Sequence, residues 1–185
     1  SHTSVELMGQ TRDDAAGEAF DKVAKILDLG YPGGVVIDSL AREGNPDKIK
    51  FPRSYLEKTS YDFSFSGIKT AVNRYVSKQH DDIKTQIPDI VAGFQEAVVE
   101  VLAHKLLNAA REKGCKHVAL VGGVAANSRL RAKVSGDAPE KGISVHHPSL
   151  HLCGDNAAMI AAVGYHCLKA GRVSELSDDV FSRSR

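Results

Sequence analysis

The stretch that most constrains this chain is Val118-Ala119-Leu120-Val121, followed by Gly122-Gly123 and then by Val124-Ala125-Ala126-Asn127-Ser128-Arg129-Leu130. A short, uninterrupted apolar run predicts a strand buried on both faces. The glycine pair carries no Cβ, which permits positive φ and lets a ligand approach the backbone. Asn127 and Ser128 supply side-chain partners for the N–H groups of a helix start. Strand, glycine turn and helix N-terminus together form a cradle for an anion or a nucleotide. The plainer reading is a β-to-α turn whose glycines serve only packing. The stretch matches neither the dinucleotide fingerprint nor the phosphate loop with its lysine. Downstream, Ile143-Ser144-Val145-His146 predicts a second buried strand, parallel to the first by the strand–helix–strand order.

With 185 residues the default is one domain. A chain of this size buries about 70% of its unfolded surface and needs no covalent staples. No apolar run is long enough to span a membrane. The formal net charge of +1 gives no global field that draws nucleic acid, so any RNA contact is a local patch. Cys115, Cys153 and Cys167 are odd in number and lack C-x-x-C spacing, which predicts a reducing compartment and no zinc knuckle.

Taken in order, Val5 to Gly9 reads as an edge strand. Asp13-Asp14 offers an N-cap to a helix over Ala15 to Leu29, with Phe20, Val23, Ala24 and Leu27 on one face and Gly30 as its stop. On these residues alone Asp21 is an exposed partner of Lys25 at i,i+4. Tyr31-Pro32-Gly33-Gly34 is a turn, and a second helix runs from Val35 to Arg42 with Asp38 on its polar side. A long irregular stretch extends to about Phe65, and its Lys48, Lys50 and Arg53 read as a solvated surface rather than a phosphate track. A third helix spans Ile68 to Lys78 with Ser66 as its cap. Pro88 opens the longest helix, which runs to Lys113 and at 1.5 Å per residue measures roughly 39 Å. His104 in it is a surface or boundary residue. His146, His147 and His151 invite a metal reading, but neighbouring residues of a strand point to opposite faces. Cys153-Gly154-Asp155-Asn156 leads into a small-residue helix from Ala157, with Asp155 as N-cap.

Five of these segments together resemble one family. They are Asp13-Asp14-Ala15-Ala16-Gly17-Glu18-Ala19-Phe20-Asp21-Lys22, Tyr31-Pro32-Gly33-Gly34, Asp62-Phe63-Ser64-Phe65-Ser66-Gly67-Ile68-Lys69-Thr70, Gly122 to Arg131, and Cys153-Gly154-Asp155-Asn156-Ala157-Ala158-Met159-Ile160. In order and spacing they are similar to the TsaD family of tRNA N6-adenosine threonylcarbamoyltransferases, once labelled O-sialoglycoprotein endopeptidases, and of bacterial or organellar rather than archaeal type. The resemblance implies an α/β fold, one C-terminal lobe of the actin/sugar-kinase/Hsp70-like fold with a helical insertion. In that reading residues 1–185 are a single lobe, about 13–112 being the mostly helical insertion and about 115–171 the strand–helix–strand–helix core.

The same resemblance implies transfer of threonylcarbamoyl from threonylcarbamoyl-adenylate to adenosine 37 of tRNAs that read codons beginning with A. It makes Asp21, Gly34, Asp38 and Asn127 contacts for ATP or the adenylate, and Asp155 a ligand of a divalent iron or zinc ion. It further implies tRNA and TsaB- and TsaE-like proteins as partners, a cytoplasmic location and no membrane. Two departures matter. The family's metal-binding H-x-x-x-H helix is absent, since His147 and His151 span Pro148 in another segment, and Ser1-His2-Thr3-Ser4 is all that corresponds to a glycine-rich loop. They predict a truncated or engineered chain, inactive alone. H-E-x-x-H is absent too, so nothing here supports an endopeptidase. The rival expectations are a non-catalytic docking module for the same partners, and another ATP-dependent carbamoyltransferase or kinase of this fold.

Overall fold

A computed structural model describes residues 5–57, 60–79 and 83–179. The glycine-rich-loop remnant at Ser1–Ser4 lies outside them. The chain divides into two compact units, Met8–Gly154 and the described parts of Ser1–Leu7 and Asp155–Arg185. Among the described residues no helix is long and apolar enough to cross a membrane.

The larger unit is organised around a long helix. Its elements are α1 (Ala16–Ile26), α2 (Gly33–Leu40), α3 (Ser66–Lys78), α4 (Ile87–Glu112), β1 (His117–Ala119), α5 (Ser128–Asp137) and β2 (Ser144–His146). The 26 residues of α4 match the expected length, but burial is not confined to one stripe. Ile90, Val91, Ala92, Gly93, Phe94 and Gln95 are consecutive and all buried, because α4 is enclosed rather than laid on a surface. Its first half packs with α1, α2 and α3, where Phe20 meets Phe94 edge-on at 5.1 Å. Its second half, from Val99 to Ala110, packs with Val118, Leu120, Leu130, Val134 and Ile143. One helix therefore supplies both a helical core and an α/β core.

β1 and β2 pair in parallel, His117 opposite Ser144 and Ala119 opposite His146, as the strand–helix–strand order requires. The expectation of a strand buried on both faces is corrected. Val118 and Leu120 are buried while His117, Ala119 and Val121 are exposed, the period of a strand covered on one side. Nor does Val5–Gly9 form a strand; the first bridge joins Thr11 to Phe63.

Helix ends depart from the sequence reading at both ends of α1. Asp13 does not cap α1, whose N-cap is Ala15. Its carboxylate instead accepts from the backbone N–H groups of Phe65 (2.8 Å) and Ser66 (3.2 Å) and from the hydroxyls of Ser64 and Ser66, so it caps α3 from 52 residues away. Burial pushes the Asp13 carboxyl up, but these four donors outweigh it and hold it well below the usual carboxylate range. Asp14 pairs with Lys22 and Lys69, tying α1 to α3. Gly30 is not the stop of α1. Asp28, at φ 54°, takes the left-handed position, and the Leu29 N–H closes onto Ala24 O at 2.9 Å.

The irregular stretch after α2 is anchored, with Ile49 and Phe51 buried in the helical core. A Cβ on Gly93 would come within 2.0 Å of Ile49 O, so α4 needs glycine there. Lys48 pairs with Asp89, Lys50 with Asp47 and Arg53 with Glu100, which leaves the basic cluster as paired surface. Lys105, buried to 4% exposure, donates to Ser60 O at 2.7 Å and Asp62 O at 2.5 Å, and burial lowers its pKa.

In the smaller unit α6 (Ala157–Lys169) buries none of its residues. Its N-cap is Asn156, which accepts from the Met159 N–H at 2.9 Å. The capping role expected of Asp155 thus falls to its neighbour, and Asp155 is exposed.

Candidate functional site

Asp21, Gly34, Asp38 and Asn127 line one cavity of about 350 Å³ within the larger unit. That volume lies at the low end of the roughly 300–1,000 Å³ of small-molecule sites. Three segments build it. α1 contributes Asp21 from mid-helix, with Gly17 and Phe20 beside it; the start of α2 brings Pro32, Gly34, Val35 and Asp38. A 3-10 turn, Gly123–Ala126, and Asn127 form the remaining wall.

Asp21 is not a partner of Lys25. Its Oδ1 accepts from the Gly33 N–H at 2.8 Å, joining α1 to the first turn of α2. Gly33 is where the helices touch, since a Cβ there would lie 2.7 Å from Asp21 Cα and from Phe20 O. Gly34 has nothing within 4 Å of the same position and faces open space. Among the described residues Asp21 Oδ2 takes no partner, so it is an acceptor available to the cavity.

Asp38 is more committed. Its Oδ1 accepts from the Ser128 N–H (3.2 Å) and hydroxyl (2.9 Å), and its Oδ2 from Arg42 at 3.1 Å. Ser128 is the first residue of α5, so a carboxylate of this chain occupies the helix N-terminus that the sequence reading left open for a ligand anion. Asn127, 8% exposed, caps α5 as expected, its Oδ1 accepting from the Leu130 N–H at 2.9 Å. Its Nδ2 donates to Gln95 Oε1 at 2.7 Å. Gln95 is the residue sequence reasoning missed; the signal was an amide inside an otherwise apolar part of α4. Arg129 clamps α5 to α4 through two bonds to Glu96, at 2.6 and 2.8 Å.

The walls fix the chemistry. Pro32, Val35, Val124 and Ala126 supply apolar surface, and Gly34 and Gly123 keep the approach clear. Gly122, at φ 84°, makes the turn possible after β1. Among the described residues the two carboxylates have Arg42 as their one paired cation, so the lining suits hydroxyl donors.

Asp155 belongs to the smaller unit and the cavity to the larger. Among the described residues no group of three or more His, Cys, Asp or Glu could hold a metal ion. His146 meets His117 at 3.2 Å and His147 meets Arg131 at 3.1 Å, so the histidines do not converge.

Helices around a parallel β1–β2 pair, with a cavity at the turn after β1, make an α/β lobe of the kind that the resemblance to the actin/sugar-kinase/Hsp70-like fold implies. In agreement, HypF of T. kodakarensis superposes with a TM-score of 0.63 over 87% of this chain and 21% of its own, at 22% identity. The family model for tRNA N6-adenosine threonylcarbamoyltransferase, TsaD, matches residues 1–162, and the chain belongs to that family. Relatives of that name are 52% identical in Desulforapulum autotrophicum (100% of this chain, 56% of the relative), 51% in Clostridioides difficile (93% and 51%) and 51% in Thermotoga neapolitana (91% and 50%). The chain spans about half the length of these curated relatives.

Proposed function

We propose that this lobe binds the adenylate end of threonylcarbamoyl-adenylate, or ATP, in the cavity, and that the full-length protein transfers the threonylcarbamoyl group to N6 of adenosine 37 in tRNA. The observation that carries the reading is the convergence of Asp21, Gly34, Asp38 and Asn127, from three separate segments, on one cavity of about 350 Å³ in a chain of this family. In the transfer, the N6 amine bonds to the carbamoyl carbon, the bond from that carbon to the phosphate oxygen breaks, AMP leaves with the electron pair, and the amine gives up one proton. This chain's own residues bind and orient. Asp21 Oδ2 accepts from a ribose hydroxyl, the apolar walls hold the purine, and Asp38 and Asn127 hold α5 in place behind it.

The metal belongs to the proposal only in part. Asp155 offers an oxygen suited to iron or zinc, yet one exposed carboxylate is not a site, and further ligands must come from outside the described residues. No step is routed through it. We place tRNA, TsaB- and TsaE-like proteins and the cytoplasm in the same proposal. The solitary Asp155 favours a second reading, a docking lobe that turns nothing over alone; pull-down of those partners with and without ATP separates the two.

The test is single-turnover transfer to tRNA by the full-length protein. Asp21→Ala should lower kcat/KM by at least about tenfold, the loss of one charge-assisted hydrogen bond. Unchanged transfer would sink the assignment.

A further inference from the structure

Gln95 is 5% exposed on the enclosed half of α4, among Val91, Phe94 and Val98. An amide oxygen in such a place is costly to bury without a donor. Its Oε1 accepts from Asn127 Nδ2 at 2.7 Å. Asn127 Oδ1 is already spent on the Leu130 N–H. Together the two bonds leave the Asn127 amide one orientation, because the cap requires oxygen on one side and Gln95 requires nitrogen on the other. A planar amide nitrogen carries two diverging hydrogens, of which Gln95 takes one. Asn127 lines the cavity, and among the described residues its Nδ2 has no other acceptor.

We propose that Gln95 is a positioning residue of this site: it locks the Asn127 amide so that the second Nδ2 hydrogen faces the cavity as a donor for an acceptor atom of the bound nucleotide. The inference rests on the nucleotide reading above and corrects one part of it. Asn127 offers the ligand a donor only, its acceptor being consumed by α5. The site then has fixed polarity, an acceptor at Asp21 and a donor at Asn127.

The experiment is a calorimetric titration of the full-length protein with ATP, comparing Gln95→Leu, Gln95→Glu, Asn127→Asp and the Gln95→Leu/Asn127→Asp pair. Asn127→Asp keeps the cap oxygen but removes the donor. If Gln95→Leu does not fold, Gln95→Met, closer in shape, replaces it. Gln95→Leu and Asn127→Asp should each weaken binding about tenfold. Gln95→Glu, whose buried carboxyl is neutral there and keeps a carbonyl oxygen to accept from Nδ2, should stay within about twofold of the parent, and the double variant should bind no more weakly than Asn127→Asp alone. Affinity kept in Gln95→Leu, a Gln95→Glu as weak as Gln95→Leu, or losses that multiply in the double variant would each overturn the role. Absence of saturable binding by the unsubstituted protein would instead overturn the nucleotide reading, and this role with it.

Discussion

Gly33 and Gly34 are adjacent and make opposite demands on space. A methyl at position 33 meets backbone atoms of α1 at 2.7 Å, so Gly33→Ala must push α2 away from α1. Such overpacking costs about 1–3 kcal/mol, which urea unfolding should register. A methyl at position 34 meets nothing within 4 Å. Gly34→Ala should therefore leave stability unchanged or raise it by up to about 1 kcal/mol, since alanine favours the helix, while weakening nucleotide binding. Asp13 gives a pH prediction. Its carboxyl is held below the usual range, so its contribution is fully present above the unfolded value of about 3.9 and is lost as the pH falls through the lower, folded value. Urea unfolding at pH 7 should show Asp13→Asn less stable than the parent, and the gap should close progressively below about pH 4. An undiminished gap in acid would contradict this. Residue by residue, Asn127 as a cap was legible because capping is local. The bond from Gly33 to Asp21 and that from Asn127 to Gln95 join positions 12 and 32 apart, which no local pattern encodes.

At the scale of elements, the start of α5 is held by two side chains, Asn127 from its own cap position and Asp38 from α2. Asp38→Ala should remove the second, costing about 1 kcal/mol by thermal unfolding and loosening nucleotide binding through the wall it supports. A variant as stable as the parent would show that Asp38 does not hold α5. The apolar face of α1 and the length of α4 were readable, and so was the parallel pairing of β1 with β2. Helix ends were not, since Asp13 caps α3 rather than α1, and Asp28 rather than Gly30 turns the chain after α1. The apolar run at Val118–Val121 was misread because β-branched composition signals a strand without telling which face is covered; Val121 is 73% exposed.

For the whole molecule, five motifs scattered over the sequence were enough to identify the family, and three of them bring Asp21, Gly34 and Asn127 to one cavity, where Asp38, from outside the motifs, joins them. That convergence is a tertiary fact the motifs implied without giving its geometry. α4 links the helical core, whose α1 and α2 line the cavity, to the α/β core, whose turn after β1 closes it. The relatives are about twice as long as this chain. The most direct test is a calorimetric titration of ATP into the full-length protein, repeated with Asp21→Asn, which keeps shape and removes the charged acceptor. The proposed nucleotide site requires saturable binding that weakens about tenfold or more in the variant. Equal affinity in both, or no binding by a folded parent, would contradict it.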